Sequence, residues 1–280
     1  ESGLGSDNFG EVLAELGTGT QQQFVRNFLN IDIRNIEHKG GIELQTDHSD
    51  FETTSSHFLQ WSVKYQNEQI ADRLNEWERL DSAGYSLPYD PDAVQVFNVL
   101  KTRNNLNSNR FSAYFQDTYT WRKESIAEWR VSAGVRASYW DLNEELLISP
   151  RVQILYKPLQ SERDISYRLA GGLYYQPPFY REMRGFDGTV NTDLLAQKSF
   201  HLVGGMTFDF YLGKSNPKKF RFITEAYYKS LWDLVSYEIE NVRIRYSGQN
   251  DAVGYVAGID FRINGEFVPG AESWINLSFL

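Results

Sequence analysis

From Trp129 to Tyr139 every second residue is apolar: Trp129, Val131, Ala133, Val135, Ala137 and Tyr139. The intervening row is Arg130, Ser132, Gly134, Arg136, Ser138 and Trp140. A period of two predicts a strand with one apolar and one polar face. Ten steps at about 3.3 Å each give roughly 33 Å, and a tilt of about 40° brings this to roughly 25 Å. That is the height of the apolar band on an outer-membrane barrel, with an aromatic side chain at each edge. Strands of soluble sheets usually stop at about 5–6 residues. Arg130 and Arg136 decide which face is which, because an arginine costs about 2–4 kcal/mol in the middle of a lipid face. The Val/Ala row is therefore expected to face lipid and the arginines a lumen.

The same rhythm recurs along the chain. Residues 1–23 are polar, lack a period and are read as loop; Gly17-Thr18-Gly19 is too short for a phosphate loop and lacks its lysine. Phe24 to His38 is a first strand with partial alternation, and Asp47 to Ser56 a polar turn. Leu59, Trp61, Val63 and Tyr65 then alternate with Gln60, Ser62, Lys64 and Gln66. Beyond them the pattern fades, which fits either a strand running on above the membrane or a short amphipathic helix around Ile70–Leu80. Leu87 to Asn107, with Pro88, Pro91 and a run of asparagines, is expected to be a long loop. Phe111 to Trp121 resumes the alternation. Asp117 breaks its apolar row, which a bulge or a position near the rim would accommodate.

Further strands are expected around Ile148–Tyr156, Ile165–Tyr175, Lys198–Phe210, Phe220–Tyr228, Val253–Ile263 and Ser273–Leu280. Pro150 cannot donate to a ladder and should sit at the start of its strand or at a bulge. Pro158–Arg163 and Gly213–Lys218 are turns, and Gln176–Leu195 is a long loop. The tally is about ten crossings joined by short and long connections in alternation. That is the habit of bacterial barrels with short periplasmic turns and longer outer loops. On that reading Pro158–Arg163 and Gly213–Lys218 are periplasmic, and Leu87–Asn107 and Gln176–Leu195 extracellular. The expected fold is all-β, an antiparallel transmembrane β-barrel carrying an incomplete set of about ten long strands.

Composition changes this picture little. Aromatics make up 15% of the 280 residues, an excess that interfacial girdles would use. No run approaches the roughly 20 apolar residues of a helical span, and alternating strands evade hydropathy averages. A net charge of −9 with no basic stripe argues against a nucleic-acid partner. With no cysteine there are no disulfides or thiolate metal sites. The chain begins at Glu1 without a signal segment, which fits either a mature N-terminus or, as expected here, both ends cut from a longer protein.

Ordered motifs add a family resemblance. Ser149-Pro150-Arg151, Tyr156-Lys157-Pro158 and Tyr174-Tyr-Gln-Pro-Pro-Phe-Tyr-Arg-Glu182 resemble the barrel of TonB-dependent outer-membrane receptors. Ala196-Gln-Lys-Ser199, Glu225-Ala-Tyr-Tyr-Lys229, Asn241-Val-Arg-Ile-Arg-Tyr246 and Asn264-Gly-Glu-Phe-Val-Pro-Gly-Ala-Glu-Ser-Trp274 continue the likeness. The resemblance implies active nutrient import in the bacterial outer membrane, through a barrel of about 22 strands closed by an N-terminal plug. It implies as partners the surrounding lipid, the plug and, through the plug, the TonB complex, with a surface lipoprotein as a further possibility. Residues 1–23 would be a loop or the end of a preceding barrel segment, and 24–280 part of the barrel. The plug and about half of the strands would lie outside this sequence. A passive porin-type barrel and an outer-membrane barrel hydrolase are the alternatives, and a soluble β-sheet binding protein is the non-membrane one.

No catalytic constellation stands out, so the expectation is a transporter and not an enzyme, with no cofactor. His38, His48, His57 and His201 are scattered, without metal-site spacing; His201 falls on the polar row. Asp141, Glu144 and Glu145 read as a solvated rim. Asp90 and Asp92 could hold Ca²⁺ only with help from elsewhere. Gln176-Pro-Pro-Phe-Tyr-Arg181 combines a stiff backbone, two aromatics and a cation, a set suited to stacking and charge recognition. Gln176, Phe179, Tyr180 and Arg181 are thus the candidate substrate-binding residues. Phe179, Tyr180 and Arg181 are expected at the mouth of the lumen.

Overall fold

The alternating stretches pair, neighbour to neighbour, into one antiparallel sheet. A computed structural model describes residues 20–280 except 48–52, 83–84, 93–94, 125, 161–163, 214–217, 241–242 and 269. The Gly17–Gly19 turn, most of the 1–23 segment and His48 thus lie outside the described residues. The strands are β1 (Thr20–Val25), β2 (Phe28–Asp47), β3 (Thr53–Ser82), β4 (Tyr85–Leu87), β5 (Asn98–Lys123) and β6 (Ala127–Trp140). They continue as β7 (Glu145–Pro158), β8 (Asp164–Gln176), β9 (Gln197–Leu212), β10 (Lys218–Glu240), β11 (Arg243–Val268) and β12 (Ala271–Phe279). One short helix, α1 (Tyr180–Met183), lies between β8 and β9.

The sheet order is β1-β3-β5-β6-β7-β8-β9-β10-β11-β12, with β2 and β4 also on β3. β1 and β2 both pair with β3, at Glu76–Asp81 and Thr54–Arg73 respectively, so they form one crossing interrupted at Arg26-Asn27. Asn75 bridges that interruption: its N–H donates to Asn27 Oδ1 (3.0 Å), and its own carbonyl accepts from Arg26 N (2.8 Å). Counting β1 and β2 as one crossing and setting aside the three-residue β4, the described residues make ten crossings, as expected from the alternation.

Partners across the ladder carry the two faces through the sheet without a break. Trp121, Trp129, Tyr156 and Tyr167 lie opposite one another on four successive strands. Trp129 and Tyr156 rings are 4.4 Å apart, Tyr156 and Tyr167 rings 6.4 Å. On the same face, ten residues up β6, Tyr65, Phe111 and Tyr139 form a second aromatic row. Between the rows stand Val63, Phe115, Val135, Ile148, Val152, Leu169 and Leu202, all exposed. One face of the sheet is therefore a continuous apolar surface edged by aromatics, of a kind that soluble monomers rarely leave bare.

Several strands outrun this band. β3, with 30 residues, and β5, with 26, stay paired well past the upper aromatic row, from Asn67–Asn109 to Glu78–Asn98. This corrects the loop expected over Leu87–Asn107, of which Asn98–Asn107 is strand. It also settles Ile70–Leu80 as strand rather than helix. Above the apolar band both faces meet polar surroundings, so alternation is lost while the backbone ladder continues. Thr20–Gln23 and Thr53–Ser56, expected as loop and turn, likewise belong to strands. The first strand does not run unbroken from Phe24 to His38: it breaks at Arg26-Asn27 and extends to Asp47.

Two other expectations need correction. Pro150 is the sixth residue of β7, not among the first. The β7–β8 register ends at Arg151, so the missing N–H falls where that ladder stops. Asp117 lies in continuous register with both neighbours, so no bulge excuses it. Instead its Oδ2 lies 2.8 Å from His57 Nδ1 on the same face.

Candidate functional site

The connection from Pro177 to Ala196 is an ordered shelf across the polar face. Pro177 and Pro178 end β8 because neither can extend the ladder. One helical turn follows, and Glu182 accepts a hydrogen bond from Phe179 N (2.8 Å) with one oxygen and from Gln197 Nε2 (2.9 Å) with the other. Arg184 and Val190 then form a bridge around a tight turn, where Gly188 adopts φ +78°. A side chain at Gly188 would be strained, and a Cβ there would stand 2.8 Å from Thr102 Cγ2. Asp187 accepts from Thr189 N (3.0 Å) and Thr189 Oγ1 (2.7 Å), which holds its carboxyl below the usual range. Underneath, Met183 and Leu194 pack with Trp140 and Val235 into a small apolar core.

The shelf is tied to strands from both halves of the sheet. Tyr180 donates its hydroxyl to Asp72 Oδ2 (2.8 Å), and Arg184 Nη1 donates to the same oxygen (2.9 Å). Asn104 donates to the Gly188 carbonyl (3.4 Å) and Arg110 to that of Pro178 (3.3 Å). From the other half, Arg245 donates to the Phe186 carbonyl (2.6 Å), and Asn191 Nδ2 to that of Gly248 (2.9 Å). β3 and β11 stand seven steps apart in the sheet order, about 34 Å if the sheet were flat. One loop reaching both means that the sheet curls around its polar face.

Electrostatics fix the anchor. Asp72 is 2% exposed and Tyr180 5%. Burial first, and then the Asp72 carboxylate that accepts its hydrogen bond, push the Tyr180 phenol above its ordinary value. Glu145, read from the sequence as a solvated acid, proves partly buried: it accepts from Ala196 N (2.7 Å) and pairs with Lys198 (3.3 Å). Asp141 caps Asn109 through its N–H (2.7 Å) and Nδ2 (2.8 Å). Asp90 accepts from Asp92 N (2.9 Å) and Gln95 Nε2 (2.8 Å), closing a turn. His201 stacks on Tyr174 at 4.3 Å and shares a hydrogen bond with Ser199 (3.0 Å).

The four candidate residues separate. Gln176 closes β8 opposite Gln197 and is exposed, and Phe179 is exposed at 61%. Tyr180 is buried and its hydroxyl is committed to Asp72. Arg181 is exposed and lines a cavity of about 610 Å³ with Arg184, Arg245, Asp72 and Glu76. Such a charged recess can hold a polar group. Among the described residues no cluster of three or more His, Asp or Glu side chains could hold a metal ion.

No family model matches the chain, and no curated protein matches it either. Among solved structures it is similar to one titled "Copper transporter OprC". The match has a TM-score of 0.46 and 11% identity, and covers 92% of this chain and 46% of that one. The chain thus spans about half the length of the solved structure it matches.

Asp72, Arg184 and Glu145 were missed as site residues. Asp72 falls where alternation fades, but Ile70 and Leu74 flank it on the same row. Two apolar residues on an otherwise polar row are the signal that something packs there.

Proposed function

We propose that this chain is part of the wall of an outer-membrane transport barrel, with the apolar face against lipid and the polar face lining the passage. One observation carries the reading. Long strands present an apolar face edged by two aromatic rows ten residues apart, a height of roughly 25 Å after tilt. Among the described residues no pairing joins β12 back to β2, and lipid tolerates no open strand edge. Further strands therefore complete the barrel. The shelf Pro177–Ala196 lies at its mouth, where Phe179 and Arg181 are free to meet a nutrient.

The finer part of the proposal follows the motif resemblance: import is energised by the TonB complex acting on a plug, and the wall performs no catalysis. The test uses the full-length protein. It is expected to fractionate with the outer membrane, to need detergent for extraction, and to hold planar bilayers closed until the plug is removed. Recovery in a soluble fraction would overturn the barrel reading. Steady conductance of the intact protein would leave the barrel and replace the plugged receptor with a porin.

A further inference from the structure

The polar face holds a second cavity, of about 210 Å³, at the level of the upper aromatic row and reaching Pro177 at the start of the shelf. It is built around donors in excess. Arg151, Arg136 and Lys64 line it, and none of them has an acidic partner within ion-pair distance among the described residues. The nearby acids are already engaged. Glu68 Oε2 lies 3.3 Å from Arg110 without a hydrogen bond, Glu145, itself part of the cavity wall, is taken by Lys198 and Ala196 N, and Glu37, directly across the ladder from Lys64, pairs with Lys39 (3.2 Å) while accepting from Ser62 (3.0 Å).

Neutral donors at the same place are also unspent. The hydroxyls of Ser112, Ser138 and Ser149 make no hydrogen bond to a described residue. Trp140, 5% exposed, has its indole N–H buried without an acceptor, and so is Nε of Arg110, whose guanidinium stacks on that indole at 3.9 Å. Buried donors without acceptors carry a desolvation cost that an acceptor in the cavity would remove.

The backbone clears the floor for this arrangement. Arg151 lies between Gly134 on one strand and Gly172 on the other. A Cβ at Gly172 would stand 2.8 Å from Arg151 Cγ, and one at Gly134 3.1 Å from Gln116 Cβ. With that room the Arg151 guanidinium reaches across to stack on Tyr174 at 4.2 Å, its N–H edges left for a ligand.

We infer that this cavity is a binding site for an anionic oxygen group, a carboxylate or a phosphoryl, held by Arg136, Arg151 and Lys64 with the serine hydroxyls. It rests on the reading of the polar face as the lumen and names the class of solute for which that lumen is built. Against the chain's net charge of −9, the local surplus of cations is a feature of this part of the wall and not of the surface in general.

The test is calorimetric titration of the full-length protein in detergent with citrate and, separately, inorganic phosphate. Saturable binding of citrate alone identifies a carboxylate site, of phosphate alone a phosphoryl site, and of both a general oxyanion site. Arg136→Gln is expected to weaken binding about tenfold or more, and Arg136→Gln with Lys64→Gln about a hundredfold, because each removes a charge-assisted hydrogen bond. Arg136→Lys should retain most of it, and Ser149→Asp should abolish it in protein that still shows the heat-modifiable band of a folded barrel. Absence of saturable binding by both anions, or unchanged binding in the double variant, overturns the site. Maleimide labelling of Ser138→Cys and Ala137→Cys in outer membranes separates the two readings. Labelled Ser138→Cys without anion binding overturns the site alone. Labelling at Ala137→Cys but not Ser138→Cys overturns the lumen itself, and labelling at neither overturns the site as one a solute can reach.

Discussion

Tyr180 and Asp72 are 108 residues apart in sequence and share one buried hydrogen bond, hydroxyl to carboxylate, at 2.8 Å. Arg184 completes the group by donating to the same carboxylate oxygen (2.9 Å). This trio converts a proline-rich connection into a fixed shelf, since an ordered loop needs its buried backbone and side-chain groups satisfied.

Tyr180→Phe should therefore loosen the shelf while leaving the sheet intact. A hydrogen bond to a charged group is worth about 1.5–3 kcal/mol, so local opening over Pro177–Ala196 should rise by about tenfold or more. Hydrogen exchange measures it, and Asp72→Asn should give a similar or larger effect because Arg184 also loses its partner. Unchanged protection in both variants would show that the apolar core of Met183 and Leu194 holds the shelf unaided.

The same anchor sets a pH dependence. The Tyr180 phenol is held above its ordinary value, so its contribution is complete below about pH 10, where an unfolded tyrosine begins to ionise. It is lost only as pH rises through the higher folded value. Shelf protection should thus stay level from pH 7 to about 9.5. A difference titration of tyrosinate absorbance should show that the step missing from Tyr180→Phe is one of the last to ionise; an early step would contradict the anchor.

The two rows of β6 should respond unequally to the same change. Val135→Arg puts a cation against Phe115 near the middle of the band, which should cost about 2–4 kcal/mol in a membrane. Ser132→Arg on the other row, outside that cavity, should cost well under that. Folding of the full-length barrel into liposomes, followed by heat-modifiable gel mobility, compares them. Equal penalties would sink the assignment of faces.

His57 and Asp117 are the exception on the apolar face. Asp117 is four residues from Trp121, roughly 10 Å into the band after tilt, and its Oδ1 is buried without a hydrogen bond. Breaking the pair from one side, as in His57→Leu, should cost about 1–3 kcal/mol by leaving the acid without its hydrogen bond. Replacing both, His57→Leu with Asp117→Val, should recover that loss or exceed wild-type stability. A double variant no more stable than His57→Leu would mean that the pair does not act as a unit.

The legible part of the fold was the part that lipid would constrain. Trp129 to Tyr139 revealed a strand, its faces and its length, and the sheet kept every one of those features. Asn98 to Asn107 was illegible because its side chains carry no contrast; it is a strand through backbone bonds to Gln69–Glu78. At the site, the aromatic and cationic character of Phe179-Tyr180-Arg181 was visible, but their division of labour was not. Adjacent on one turn, Tyr180 is turned under and Arg181 outward.

The sequence by itself determined the period, the number of crossings and which row is apolar, because each strand's pattern is local and repeats every two residues. Only the tertiary structure decided that Tyr180 meets Asp72, that Glu145 ties down the shelf, and that Arg136, Arg151 and Lys64 gather around one cavity. Those facts depend on register across strands far apart in the chain, and register is a property of paired backbones that no single strand contains.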